Sequence, residues 1–305
     1  MRQLELRSDF MRPIRLVTFD ALHTIITPRQ PIHVQYSRVF SPYVGDLDPE
    51  RIKQSFRVVT ASECLVPHRL RAMAKGIDQY HSALKDVQKE HPSYNKGALN
   101  WWCDVIRRTA IGAGADEKGE TCGISSTNLG LNHFLDTHLT DITQKLLMRF
   151  SSGEGYEAFD DAIAIICRLQ DQMCIKTAVI SNGDGRIRTV LTDLGFPSFL
   201  DPVILSEEEG SEKPSPDIFK KALEVINRTA DGSESIIRPS QCLHVGDELI
   251  SDYQGALNAG WHALLLRRRG AEGEHEHKEA EENLKQVQTI RDLCGIIKWV
   301  QTRKV

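Results

Sequence analysis

The sequence predicts an α/β fold in which a parallel sheet carries helices on both faces and a helical insertion interrupts the sheet domain once. From residue 159 onward, short apolar runs alternate with helical patterns, which is typical of repeated βα units around a parallel sheet. From residue 28 to residue 157 the chain has long helical patterns without strand signals. We therefore expect a discontinuous sheet domain, 1–27 and 158–305, and a separate helical domain, 28–157.

The elements of the sheet domain follow from apolar periodicity and helix-start signals. Asp160 and Asp161 open one helix, where the helix dipole favours negative charge, and Ser215 and Pro216 open another as a capping hydroxyl and a first-turn proline. In chain order we predict a strand ending at Phe19, a helix over 159–173, a strand over 177–180, a helix over 186–194, a strand over 203–205, a helix from 215, a βα unit over 243–260 and a final strand over 261–266.

The insertion and the tail are predicted in the same way. Helical patterns cover 34–40, 49–60, 69–88, 96–111 and 131–150, with a Gly-, Ser- and Thr-rich loop over 112–130. The charged run 267–285 is expected to be a solvated face or a mobile loop. Apolar residues then mark a last amphipathic helix that we expect to dock on the core, namely Ile290, Leu293, Ile296, Ile297 and Val300.

Composition limits the class of protein. The 305 residues, 40% hydrophobic and 26% charged, can bury one large core or two modest ones. A net charge of -4 argues against a nucleic-acid partner, because phosphate backbones are held by surplus Lys and Arg. No apolar run approaches the ~20 residues that span a bilayer, so no membrane partner is expected. Without a signal-like amino terminus we expect a cytoplasmic protein, with the nucleus and mitochondria still open.

Cysteine usage indicates reduced thiols. The sequence has seven cysteines without a Cys-x-x-Cys pair, and several lie in apolar segments. We therefore expect buried, reduced thiols rather than a metal site or a disulfide framework. The seven are Cys64, Cys103, Cys122, Cys167, Cys174, Cys242 and Cys294.

Polar residues follow the predicted strands where each strand ends. Asp20 follows the first apolar run, Ser181 and Asn182 follow the second, and Asp247 follows the run that ends at Gly246. The carboxyl ends of parallel strands meet at one edge of the sheet, which is where α/β enzymes place their chemistry. Taken singly, each residue also fits an ordinary turn or a helix cap, and Lys213 fits a solvated lysine.

Four segments, taken in order, resemble the signature segments of the haloacid dehalogenase-like (HAD) hydrolase superfamily: Asp20-Ala21-Leu22-His23-Thr24, Ser181-Asn182-Gly183, Lys213-Pro214, and Gly246-Asp247-Glu248 with Asp252. The resemblance implies a HAD-like Rossmannoid core and a C1-type cap domain for the insertion. One group of the superfamily is most similar in look, through Trp101-Trp102, Val179-Ile180-Ser181-Asn182, His244-Val245-Gly246-Asp247 and Asp252-Tyr253-Gln254-Gly255.

The resemblance implies a role for each residue. Asp20 is the expected nucleophile, because a carboxylate at a strand end can attack phosphorus or carbon and form an ester that water later hydrolyses. Phosphoryl oxygens are expected to be held by Thr24, Ser181 and Asn182, with Lys213 supplying fixed positive charge. Mg²⁺ is the expected cofactor, since it prefers hard oxygen ligands. Its expected ligands are Asp20, the backbone carbonyl of Leu22, Asp247 and Asp252, of which Asp252 alternatively holds a metal-bound water or orients Lys213.

Leu22 stands where phosphatase members of the superfamily have an aspartate that protonates the leaving group. Leucine keeps the backbone carbonyl but removes the acid, and general acid-base help is typically worth ~10²- to 10⁴-fold. We therefore expect slow or specialised hydrolysis that favours an acyl or anhydride phosphate. His23, in the place usually held by glycine, is expected to be a loop histidine facing solvent or the cap, with a role as an ionisable group in the site as the second interpretation.

Three functions remain open from the sequence. The favoured one is a Mg²⁺-dependent phosphatase that acts on a small phosphorylated metabolite. The second is an inactive phosphate-binding or scaffold protein with the same fold. The third is a 2-haloacid dehalogenase, since residues 20–24 also resemble the Asp-Ala-Tyr-Gly-Thr stretch of those enzymes and halide leaves without a proton. Those enzymes work without Mg²⁺ and lack the acidic pair of Asp247 and Asp252.

Overall fold

The computed structural model of the chain describes residues 13–63, 98–115, 131–228, 236–273, 278 and 282–303. It divides into two compact units, residues 1–27 with 157–305 and residues 28–156. The predicted helix over 69–88 and most of the predicted loop over 112–130 lie outside the described residues. The role of the second unit as a cap stays a prediction.

Six parallel strands form the sheet of the first unit, which confirms the predicted α/β class. The strands are β1 (Leu16–Phe19), β4 (Lys176–Ser181), β5 (Val203–Leu205), β6 (Cys242–Gly246), β7 (His262–Leu266) and β8 (Thr289–Ile290). Their order across the sheet is β5-β4-β1-β6-β7-β8. Because β1 pairs with β4 on one side and β6 on the other, the polar residues that follow these three strands lie at one edge.

The central strands are buried along their length. Every residue of β1, β6 and β7 is buried, as expected for parallel strands that are covered on both faces. The helix Ala162–Met173 presents Ala162, Ile165, Ile166 and Leu169 to the core at helical spacing. It ends at Cys174, whose left-handed φ of 53° lets its N–H bond back to the last turn.

Among the described residues, the remaining α-helices of this unit are Arg186–Asp193, Ser206–Glu209, Pro216–Arg228, Gly255–Asn258 and Cys294–Gln301. The predicted βα unit over 243–260 differs in its helix, because Leu249–Gln254 is π-helical before the short α-helix begins. Single π-helical turns of this kind occur frequently at functional sites. This turn contains Asp252.

The sequence analysis did not predict three short strands. β8 pairs in parallel with β7, although we expected β7 to be the last strand and Ile290 to be helical. Strands β2 (Ile26–Pro28) and β3 (Tyr156–Ala158) pair with each other where the chain passes between the two units. Strands of two or three residues are too short to show a period in the sequence.

The second unit is helical. Its described helices are Ile32–Val44, Pro49–Glu63, Ala98–Gly112 and Leu131–Arg149. Tyr36 lies at the centre of an aromatic cluster, with ring centroids 5.6 Å from Phe150, 6.0 Å from Phe40 and 6.2 Å from Phe56. Among the described residues, no helix is both long and apolar enough to cross a membrane.

The five described cysteines are free thiols, and their burial differs from the prediction. Cys242 is buried, Cys103 and Cys167 are partly buried, and Cys174 and Cys294 are exposed. The expectation of buried thiols was therefore wrong for Cys174 and Cys294, which lie at helix ends. Cys64 and Cys122 lie outside the described residues.

His262, the first residue of β7, joins the sheet to the last residues of the chain. Its Nε2 lies 3.1 Å from the carbonyl oxygen of Ser240, and its Nδ1 lies 3.4 Å from Nη1 of Arg303. The ring of Trp299 packs edge-on, with centroids 5.4 Å apart. Burial, together with the charge of Arg303, lowers the pKa of His262 to about 4.

Acidification should therefore destabilise the fold through His262. Between the ordinary histidine pKa of about 6.5 and the folded-state value, the unfolded chain binds a proton at this site that the folded chain does not. The free energy of unfolding should fall as the pH is lowered through this window, and His262→Asn should flatten the profile. Thermal denaturation between pH 4.5 and pH 7.5 measures both proteins. Parallel pH profiles would contradict this assignment.

Candidate active site

Asp20 begins the loop after β1 and points its carboxylate at a buried cation. Its backbone N–H donates to the carbonyl oxygen of Val245 at 2.9 Å, which continues the β1–β6 pairing by one residue. Its Oδ1 lies 2.6 Å from Nζ of Lys213. Burial raises the pKa of Asp20 to about 6, although the charge of Lys213 opposes the shift. The carboxylate is therefore mostly ionised at neutral pH.

Lys213 bridges two carboxylates from a nearly inaccessible position. Its ammonium lies 2.6 Å from Oδ1 of Asp20 and 2.6 Å from Oδ1 of Asp252, while the lysine side chain is only 2% exposed. Burial alone would favour the neutral amine, but the two carboxylates raise the pKa of Lys213 above its ordinary value. The lysine is thus a permanently charged group, and the solvated interpretation of Lys213 is wrong.

Asn182 fixes the backbone of Lys213 from the loop after β4. Its Nδ2 donates to the carbonyl oxygen of Lys213 at 2.9 Å, and its Oδ1 accepts from the N–H of Lys213 at 2.8 Å. This reciprocal pair uses Oδ1 and one N–H of the Asn182 amide to hold Lys213, and the expected role of Asn182 in substrate binding stays a prediction. Ser181 ends β4 next to it and is buried, with 5% of its surface exposed.

Besides Lys213, two donors near it in the chain hold Asp252. Nε2 of His244 lies 3.1 Å from its Oδ1, and the backbone N–H of Glu248 donates to its Oδ2 at 2.9 Å. Lys213 and His244 lower the pKa of Asp252, outweighing the opposite effect of burial. A Cβ atom at Gly246 would overlap the carboxylate of Asp252, which explains the glycine at the end of β6.

His244 is a site residue that the sequence reasoning did not assign a role. It lies inside β6, where Thr18 Oγ1 is 2.8 Å from its Nδ1. Burial lowers the pKa of His244, so the ring is neutral. Donation from Nε2 to Asp252 and acceptance at Nδ1 from Thr18 give a consistent tautomer. The available signal was a histidine within an otherwise apolar strand, which indicates a buried polar contact.

Three buried carboxylates converge in this edge of the sheet. Ligand oxygens of Asp20, Asp247 and Asp252 lie within 4.8 Å of one another. Burial raises the pKa of Asp247 well above its ordinary value, and the charges of Glu248, Asp252 and Asp20 act in the same direction, while His23 opposes them. Hard carboxylate oxygens and an excess of negative charge fit a small divalent cation such as Mg²⁺.

The loop after β1 carries His23 and Thr24, and both side chains are buried. His23 is 7% exposed and adopts a left-handed φ of 57°, so it does not face solvent, and its alternative placement toward the cap stays a prediction. Thr24 is fully buried, and its Oγ1 has no hydrogen-bond partner among the described residues. The expected role of Thr24 in holding phosphoryl oxygens stays a prediction. Leu22 is partly buried and forms a β-bridge with Ile26.

The family follows from comparison with known proteins. A family model described as haloacid dehalogenase-like hydrolase matches residues 14–260, and the chain belongs to this family. An uncharacterized hydrolase of Schizosaccharomyces pombe is 28% identical over 261 residues, covering 84% of this chain and 92% of the relative. Haloacid dehalogenase-like hydrolase domain-containing protein 3 of Mus musculus is 26% identical over 255 residues, covering 83% and 82%. Its group is the one whose segments this sequence resembles.

Solved structures agree on the fold. A HAD hydrolase of Bacillus subtilis bound to magnesium matches with a TM-score of 0.52 and 16% identity, covering 95% of this chain and all of the other, at 100%. A 2-haloacid dehalogenase of Pseudomonas syringae matches with a TM-score of 0.54 and 18% identity, covering 96% and 100%. At these identities the matches show the shared fold and do not distinguish phosphate hydrolysis from dehalogenation.

Removal of the Asp252 charge should destabilise the protein strongly. Asp252→Asn keeps the shape of the side chain but leaves Lys213 with one carboxylate, and breaking a buried ion pair typically costs about 3–5 kcal/mol. Asp217→Asn is the control, because the Asp217–Lys220 pair is exposed, with side chains 69% and 62% accessible, and such pairs contribute at most about 1 kcal/mol. Urea denaturation compares the stability of the two variants. Equal unfolding midpoints would contradict a stabilising role for the buried Asp252–Lys213 pair.

Proposed function

We propose that the protein is a Mg²⁺-dependent hydrolase of phosphate esters or anhydrides that acts on a small phosphorylated metabolite through an aspartyl phosphate. The observation that carries the proposal is the buried set of Asp20, Asp247 and Asp252 with Lys213 against it. Two of its features support hydrolysis of a phosphorylated substrate: an ionised carboxylate in a nucleophile's position and a fixed cation beside it.

Asp20 begins the reaction in this proposal. An Oδ atom of Asp20 forms a bond to the phosphorus atom as the bond from phosphorus to the leaving oxygen breaks. Lys213 offsets the negative charge that the attacking carboxylate and the phosphoryl group bring together, in a site where water cannot screen it. Water then attacks the aspartyl phosphate, releases inorganic phosphate and restores Asp20.

Mg²⁺, when bound, would neutralise the phosphoryl oxygens. Asp20 and Asp247 would bind it directly, with the backbone carbonyl of Leu22 as a further ligand. Asp252 is already committed to Lys213, His244 and the Glu248 N–H. We therefore assign Asp252 to the orientation of Lys213 and to a metal-bound water, rather than to a direct metal bond. The cytoplasmic location stays a prediction.

Leu22 narrows the choice of substrate. Its side chain cannot donate a proton to the leaving oxygen, so a weakly basic leaving group, such as a carboxylate or a phosphate, is favoured over an alkoxide. The same absence, together with the resemblance of residues 20–24 to those enzymes, favours a 2-haloacid dehalogenase, since halide leaves unprotonated. The acidic group of Asp247 and Asp252 supports the phosphatase instead, because the dehalogenases lack it.

Mg²⁺ should stabilise the wild type much more than Asp247→Asn. A ligand that binds only the folded state raises stability with concentration, so millimolar MgCl₂ should raise the wild-type melting temperature progressively. Asp247→Asn removes one buried ligand charge and should lose most of this increase, while Asp217→Asn should keep it. Thermal shift assays with MgCl₂ and with NaCl at matched ionic strength make the measurement. Equal increases in melting temperature in all three proteins would contradict a Mg²⁺ site that includes Asp247.

Leu22→Asp tests whether the missing acid limits turnover. The new carboxyl group should raise hydrolysis of an alkyl phosphate by about 10²-fold or more, and that of p-nitrophenyl phosphate much less, because the phenolate leaves with little protonic help. Circular dichroism should first establish folding, since a buried carboxyl group without a partner is costly. A folded, Mg²⁺-binding variant inactive toward both substrates would favour the scaffold alternative.

A further inference from the structure

Two consecutive arginines directly after β7 contact the backbone of two loops of the candidate site. Arg267 and Arg268 follow Leu266, the last residue of the strand, in the run that the sequence led us to expect as solvated or mobile. That expectation was wrong for both, because the side chains of Arg267 and Arg268 are only 12% and 2% exposed. Arg269, the next residue, is exposed.

Arg267 contacts the backbone of the loop after β6. Its Nη1 donates to the backbone carbonyl oxygen of Asp247 and, at 3.0 Å, to that of Leu266. Its Nη2 lies 2.6 Å and 2.8 Å from the two carboxylate oxygens of Glu282. Its backbone N–H donates to Ile290 in β8 at 2.8 Å. The guanidinium therefore joins Asp247 to the carboxy-terminal part of the chain.

Arg268 does the same for the loop after β1. Its Nη2 donates to the backbone carbonyl oxygen of Thr24 at 3.2 Å and to Oδ1 of Asp161 at 2.8 Å. Its guanidinium lies over the ring of Phe159, 3.9 Å from the centroid, and the Phe159 N–H donates to Ile25 at 3.1 Å. Oδ2 of Asp161 also accepts from the N–H of Leu293 at 2.8 Å.

The two arginines support different loops of the candidate site. Each arginine binds one backbone carbonyl of one candidate metal loop, Asp247 for the first and Thr24 for the second. Each is neutralised by one carboxylate outside the site, Glu282 or Asp161. An arginine guanidinium can bind a carbonyl and a carboxylate at once because its donors point in fixed, separate directions.

We propose that Arg267 and Arg268 are positioning residues that hold the two metal-binding loops at the spacing Mg²⁺ requires. Mg²⁺ demands nearly ideal octahedral geometry, so small shifts of Asp247 or of the Leu22 carbonyl weaken its binding. Neither arginine touches the ion or the substrate. This inference rests on the proposed function, and it makes Glu282 a structural support of the site.

The test compares three neighbouring arginines in the full chain. Loss of groups that orient metal ligands typically costs 10- to 100-fold in metal affinity. Calorimetric titration with MgCl₂ should therefore show at least a tenfold weaker affinity for Arg267→Gln and for Arg268→Gln. Arg267→Lys and Arg268→Lys should recover part of the lost Mg²⁺ affinity, and Arg269→Gln should bind Mg²⁺ as tightly as the wild type.

Backbone hydrogen exchange supplies a second readout. In Arg267→Gln the amides of Glu248 and Asp252 should exchange faster than in the wild type, and in Arg268→Gln those of Ile25 and Ile26 should do so. If Arg267→Gln fails to fold, Glu282→Gln tests the same link with the arginine retained, and it should still weaken Mg²⁺ at least threefold.

The outcomes separate the two claims. A wild type that binds no Mg²⁺ overturns the proposed function, and this inference falls with it. A wild type that binds Mg²⁺, beside folded Arg267 and Arg268 variants of equal affinity, overturns the positioning role alone.

Discussion

The buried contact of Lys213 with Asp20 and Asp252 is the interaction on which the rest of the site depends. Three charged groups from three parts of the chain are withdrawn from water, and the desolvation of each costs several kcal/mol. The attraction among them offsets this cost only when geometry is good and every remaining donor and acceptor is satisfied. Most of the neighbouring polar residues serve this condition.

Each member of the cluster has its own support. Asn182 binds both backbone groups of Lys213 and so sets where the lysine side chain begins. His244 and the Glu248 N–H bind Asp252, and the π-helical turn brings that carboxylate back over Gly246. Asp20 is set by its backbone bond to Val245 in the sheet. The sheet thus positions the nucleophile, while the loops position the charges around it.

The parallel sheet explains why much of the site could be predicted. Strands β4, β1 and β6 are adjacent, and the residues at their carboxyl ends share one edge of the sheet. The position of Ser181, Asp20 and Asp247 at strand ends therefore predicted that they lie close together. Lys213 lies in a loop and Asp252 in the π-helical turn, and no apolar period in the sequence encodes the position of either residue. Only the resemblance to a family connected them to Asp20 before the structure was known.

Other parts were beyond sequence reasoning for physical reasons. A charged run is usually solvated, and only tertiary contacts with Asp161 and Glu282 show that Arg267 and Arg268 are buried. The burial of Thr24 and the left-handed conformation of His23 depend on how one loop closes against the core. β8 has two residues and exists because β7 offers it an edge to pair with.

The most direct measurement of the central claim is ¹⁹F NMR of the protein with beryllofluoride, which mimics a phosphoryl group on a carboxylate. The account predicts bound resonances for the wild type that require MgCl₂ and disappear when EDTA is added, and none for Asp20→Asn under the same conditions. Bound resonances of equal intensity in Asp20→Asn, or none in a wild type that binds Mg²⁺, would contradict a phosphoryl-accepting role for Asp20.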